Sequence, residues 1–133
     1  MSINSIRLRI DHPVMPYVRR TQAGRFTDRA KEYHANQEAL KTLLAQAMRD
    51  GNYALLPKGS IGVSIIVRVN RKALHKQDID NLAKAVLDAA TNRQGRGAPA
   101  NPLVWDADDC WIDTLIITRA VGPEGFTLRA WTR

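Results

Sequence analysis

Ser60-Ile61-Gly62-Val63-Ser64-Ile65-Ile66-Val67-Arg68-Val69-Asn70, the connection Arg71 to Gln77, and Asp78-Ile79-Asp80-Asn81-Leu82-Ala83-Lys84-Ala85-Val86-Leu87-Asp88 together decide the fold. The first run is rich in Val and Ile, which suit a pleated and half-buried surface, so it reads as a strand. The last changes period. Leu82, Val86 and Ala89 recur at helical spacing, which predicts a helix from Ile79 to about Thr91. Between them lies a short, polar and basic connection. Asp78 and Asp80 therefore sit at the mouth of a helix, where unpaired backbone N–H groups favour negative charge and Asp78 can act as the N-cap.

Working outward, Ile6, Leu8 and Ile10 alternate with Arg7 and Arg9 and predict an opening strand. Asp11 to Arg25 contains Pro13, Pro16 and Gly24 and reads as a basic loop. Thr27 can cap a helix over Asp28 to Asp50, with Tyr33, Leu40, Leu43, Leu44 and Ala47 as its apolar positions and Gly51 as its stop. Downstream, Asn92 to Pro102 has no periodicity and reads as a long loop. Cys110 to Ala120 is a further strand, and Gly122-Pro123-Glu124-Gly125 turns into Phe126 to Thr132, closing a hairpin. The order is β-α-β-α-β-β: an α+β fold, a small mixed β-sheet with two helices packed on it, in a single domain over 1–133.

Charge divides the chain. It holds 20 Lys+Arg against 13 Asp+Glu, net +7, yet residues 78–113 carry seven acids and three bases, leaving 17 bases and 6 acids elsewhere. A positive body attracts nucleic acid, whereas a nest of carboxylates repels phosphate unless a cation bridges the two. A metal-dependent phosphodiesterase satisfies both signs. The lone Cys110 excludes an internal disulfide, and His12, His34 and His75 are too far apart for a zinc cluster. Oxygen ligands then point to magnesium or manganese, with no small-molecule cofactor. Met1 to Ile10 lacks the pattern of a secretory signal, and no apolar run approaches the roughly 20 residues of a membrane span, so a cytoplasmic protein free of membrane is expected.

Asp80, Lys84 and Asp88 follow at i, i+4 and i+8 and share one helix face. Taken alone this is also how a solvated helix is decorated. A second acidic cluster, Trp105-Asp106-Ala107-Asp108-Asp109, precedes an apolar strand, and one of its acids can join Asp78 and Asp80 around a hard cation. Asp88, one turn beyond Lys84, either holds the lysine in place or forms a plain surface ion pair with it that contributes little. Arg19, Arg20, Arg25, Arg71, Lys72 and Lys76 are the candidates for contacts to a nucleic acid, and Tyr17 and Phe26 for wedging against its bases, with core packing the commoner role for Phe26.

The run from Asp78 to Ala89 resembles the signature of the RusA family of Holliday-junction resolvases, an Asp-x-Asp-Asn-Leu-x-Lys helix start with a later aspartate. The opening strand, the basic loop from Pro13 to Arg25, the long first helix and the acidic segment from Trp105 to Asp109 resemble that family too. The resemblance implies a homodimeric endonuclease cutting four-way DNA junctions with magnesium or manganese. It implies Asp78 and Asp80 as metal-binding carboxylates and Lys84 as the essential lysine. Aligned on Trp111-Ile112, it implies Asp108 as the third metal-binding acid, ahead of Asp109 and Asp106. Two other readings compete with it: a non-catalytic basic nucleic-acid-binding module, and a metal-dependent nuclease for another branched substrate or for RNA.

Overall fold

The computed structural model describes residues 5–17, 28–57, 59–91, 104–105 and 111–132. Its elements are β1 (Ser5–Ile10), α1 (Asp28–Asp50), β2 (Ile61–Val69), a single 3₁₀ turn (Arg71–Ala73), α2 (Ile79–Ala90), β3 (Ile112–Val121) and β4 (Gly125–Thr132). The expected order and the α+β class hold. No helix among the described residues is long and apolar enough to cross a membrane.

The four strands form one mixed sheet in the order β1-β4-β2-β3. β2 runs parallel to β3 and antiparallel to β4, and β1 pairs antiparallel with β4. The expected hairpin is therefore not formed: β3 and β4 are consecutive in the chain, but β2 lies between them. The burial of β2 gives the reason. Ile61, Val63, Ile65 and Val67 are all fully or almost fully buried, so this strand takes an inner position with a neighbour on each side. The turn after β3 arches over the end of β2 instead of folding back on its own strand. Gly122 donates its backbone N–H to the Val69 carbonyl at 3.1 Å, and the Arg68 side chain ties the arch down through the Pro123 carbonyl at 3.1 Å and the Ile10 carbonyl at 3.2 Å. Gly125 completes the crossing. At φ +155° a Cβ there would overlap the Ile10 carbonyl oxygen, so only glycine lets β4 enter beside β1.

Both helices pack on one face of the sheet. α1 contributes Ala30, Tyr33, Leu40, Leu44 and Met48 to the buried side, at the three- and four-residue spacing of a single stripe. Leu43, expected on that stripe, is exposed, and Ala47 is partly buried. α2 contributes Leu82, Ala85, Val86 and Ala89, and the sheet answers with Leu8, Ile65, Phe126 and Leu128. Gln37 is the one polar residue in the α1 stripe. Its Nε2 donates to the Ala85 carbonyl of α2 at 3.0 Å, which satisfies it and fixes how the two helices lie against each other.

The stop of α1 differs in detail from the expectation. The left-handed residue is Asn52, at φ 54°, and not Gly51. Tyr53 donates to the Met48 carbonyl and Asn52 to the Arg49 carbonyl, each at 3.0 Å, the paired bonds of a Schellman motif. Glycine at 51 serves close approach, because a Cβ there would overlap the Tyr53 ring.

Candidate active site

α2 begins where the connection from β2 ends, so the top of the sheet delivers the chain straight to Asp78. This residue holds the N-cap position with extended backbone, φ −71° and ψ 134°, but its side chain makes no capping hydrogen bond. An N-cap aspartate ordinarily uses its carboxylate on the backbone N–H groups of the first turn. Here both oxygens are left for another partner. Asp80, also exposed, accepts one bond, from the Asn81 N–H at 3.1 Å. Two exposed carboxylates two residues apart, at the positive end of a helix dipole, make an oxygen donor set that suits magnesium or manganese, ions that take one or two carboxylates and keep several waters. Among the described residues no group of three or more His, Cys, Asp or Glu side chains converges to hold an ion.

Lys84 lies one turn further along. Its Nζ is 3.7 Å from Asp88 Oδ1 and 5.0 Å from the centre of the Tyr17 ring. The Asp88 side chain is only 15% exposed, so this is not the fully solvated ladder that a decorated surface helix would show. Asp88 and Tyr17 hold the ammonium from two sides, one by charge and one by the ring face.

Tyr17 reaches this position because its segment is strapped down. Asn36 of α1 accepts from the Met15 N–H at 3.2 Å and donates to the Pro13 carbonyl at 2.9 Å. Tyr17 then donates its own N–H to the Asn81 carbonyl at 3.1 Å. Its ring meets Tyr33 edge-on, with centroids 5.9 Å apart. The expectation of Tyr17 as a wedge against bases is corrected by this packing: the ring is half-buried and engaged with Lys84 and Tyr33. Asn81 acts through its backbone, as the anchor of the strap.

Of the expected DNA contacts, Arg71, Lys72 and Lys76 are all exposed on the connection that leads into Asp78. Asn70 caps its 3₁₀ turn by accepting from the Ala73 N–H at 2.9 Å. Arg19, Arg20, Arg25 and Phe26 lie outside the described residues, as do Thr27 and the acidic trio Asp106, Asp108 and Asp109. The described neighbours of that trio are informative. Trp105 is buried and bridged to Thr91 at the C-terminal end of α2, and Ile112 opens β3 opposite Ile61. Both therefore stand at the far end of the 12-residue α2 from Asp78, about 18 Å by helix rise.

Arg119 was missed by the sequence reading. It is partly buried near the end of β3 and donates to the carbonyl of Gln77, the residue before Asp78. The signal available was an arginine inside an apolar strand, Ile116-Ile117-Thr118-Arg119-Ala120-Val121, where a charge needs a reason.

The arrangement joins two exposed carboxylates, a held lysine and a basic approach at one helix mouth. A family model described as endodeoxyribonuclease RusA matches residues 13–125, which takes in the strap, both helices and the whole of this mouth. Among curated proteins none matches the chain.

Proposed function

Because the chain belongs to the RusA endodeoxyribonuclease family, we propose that it resolves four-way DNA junctions by hydrolysing a phosphodiester at the mouth of α2, two copies acting as a pair. The observation that carries this reading is Asp78, an N-cap residue whose carboxylate is withheld from capping. Leaving a cap unmade costs about 1 kcal/mol of helix stability, a cost consistent with a group kept for function.

In this reading Asp78 and Asp80 are the metal-binding carboxylates of one copy, and Asp108, whose described neighbours Trp105 and Ile112 stand at the far end of α2, joins them from the second copy of the pair. A magnesium or manganese ion bound by them would supply Lewis-acid stabilisation of charge on the scissile phosphate and make an attacking water more acidic. The side chains divide the remaining tasks. Lys84, held by Asp88 and Tyr17, presents a compact positive charge to the phosphate or the leaving 3′-oxygen. Arg119 fixes the Gln77 carbonyl and so the entry of the chain into Asp78. Arg71, Lys72 and Lys76 contact phosphates beside the cut, and Arg19, Arg20 and Arg25 extend that contact along the arms. A junction offers two equivalent strands, and a two-fold pair of chains sets one mouth on each.

Cleavage of a four-way junction, a linear duplex and an RNA duplex by the purified protein, compared in magnesium and in EDTA, tests the reading. Paired, symmetric, magnesium-dependent nicks in the junction alone are expected. Equal cutting of linear duplex or RNA would refute junction specificity, and binding without any cutting would return the protein to a non-catalytic module.

A further inference from the structure

The two helices take one face of the sheet, and no described helix covers the other. The strand registers say what that open face carries. Arg7 pairs with Arg129, Arg129 with Ser64 and Ser64 with Ile116, so these four side chains form one row across β1, β4, β2 and β3. Trp131 stands in the next row beside Gly62, where a Cβ would overlap its ring, so glycine gives the indole a seat against the sheet. Towards β3 the face turns apolar, with Ile66 41% and Ile116 51% exposed.

The charges on this face are treated unequally. Arg9 and Arg68 share Asp11, at 3.1 and 3.2 Å, and Arg68 also holds the Thr127 hydroxyl at 2.9 Å. Arg7 and Arg129, both exposed, sit directly opposite each other, and neither has an ion-pair partner among the described residues. Like charges directly across a strand pair are destabilising. A charged edge strand discourages stray pairing, which accounts for Arg7 but not for Arg129, since β4 is an inner strand. An anion set between the two guanidinium groups would turn the repulsion into attraction. The Arg129 guanidinium carbon also lies 5.9 Å from the centre of the Trp131 ring, so charge and aromatic surface adjoin.

We infer that this open face binds an unpaired strand of nucleic acid, with phosphate on Arg7 and Arg129 and bases on Trp131 and the apolar surface toward Ile116. Phosphate-binding arginines beside an aromatic base platform are what a single strand requires, whereas a duplex hides the faces of its bases. No carboxylate stands in the row of Arg129 or of Trp131 to repel the phosphates. The face lies on the other side of the sheet from α2, so it is distinct from the mouth at Asp78 and goes beyond the cleavage reading: a strand held there makes a second nucleic-acid contact.

Fluorescence anisotropy of labelled oligo(dT) with the whole protein, in EDTA to prevent cutting and over a series of salt concentrations, tests the site. Arg7→Gln and Arg129→Gln should each weaken binding about tenfold and reduce the slope of log affinity against log salt by about 0.7, the value of one phosphate contact on a single strand. Trp131→Leu should weaken binding about tenfold with that slope unchanged, since stacking releases no counterion. Both arginines are exposed, so their variants should melt as the wild type does, and they decide the matter if Trp131→Leu does not fold. Unchanged affinity and slope in the two arginine variants would overturn the site. So would an equal loss in the Arg71→Gln, Lys72→Gln double variant, or displacement of oligo(dT) by polyglutamate as readily as by unlabelled oligo(dT). Junction cleavage in magnesium is scored apart. A protein that cuts junctions without binding oligo(dT) loses only this face, and one that binds oligo(dT) through Arg129 without cutting keeps it.

Discussion

The two ends of α2 obey opposite rules. At its C-terminal end Ala89, Ala90 and Thr91 are buried, Trp105 packs beside them without exposure, and the Thr91 and Val104 N–H groups find carbonyl partners at 2.9 and 3.3 Å. At its N-terminal end Asp78 and Asp80 are exposed and Asp78 makes no cap. One helix thus separates packing from chemistry by its own length. The packed end supplies stability that the open end does not return, and the open end keeps charge available for a ligand.

Substitutions can break this contrast, beginning with those expected to act most strongly. Asp80→Asn should lower junction cleavage on the order of 10³-fold, from the several kcal/mol that a bound ion contributes, while junction affinity stays the same or tightens. Its melting temperature should match the wild type; a large drop would mean that this end carries stability after all. Asp108→Asn is expected to be comparably inactive and Asp109→Asn to retain substantial cleavage, the order that alignment on Trp111-Ile112 implies. The reverse result, read in the same cleavage assay, would move the third ligand to Asp109. Lys84→Ala should lose about 10²-fold in turnover with metal affinity preserved, which titration calorimetry with manganese would show.

At the packed end the sign of the outcome changes. Ala89→Leu adds bulk where there is none to spare and should cost about 1–3 kcal/mol in urea unfolding, with cleavage per folded molecule unchanged. Tyr17→Leu is the smallest and sharpens the contrast from the side of the strap. It removes a ring worth about 0.5–1 kcal/mol to the ammonium at 5.0 Å, so cleavage should fall only a few-fold while the fold persists. A loss as deep as that of Lys84→Ala would instead show that the ring holds the lysine in place almost unaided.

Much of this was legible in the chain. The bounds of α1 and the starts of α2 and β2 followed from apolar period and capping chemistry, which act over a few residues and are written locally. The carboxylates at Asp78 and Asp80 were likewise visible, because a helix mouth is a local feature. The hairpin was misread for the complementary reason. The turn Gly122-Pro123-Glu124-Gly125 fits a hairpin by itself, and what overrules it is β2, some fifty residues away, needing a partner on each side. Tyr17 was read as free to wedge against bases because the residues that hold it, Asn36, Asn81 and Lys84, come from two different helices. Arg119 was invisible as a site residue because its partner is a backbone carbonyl 42 residues earlier. The sequence by itself determined the elements, the class of chemistry and the charged mouth, all of which depend on neighbours within a turn or two. Only the tertiary structure decided strand order, the strap over α2 and the guarding of Lys84, since these depend on burial and hydrogen bonds between segments that meet once the chain has closed its loops.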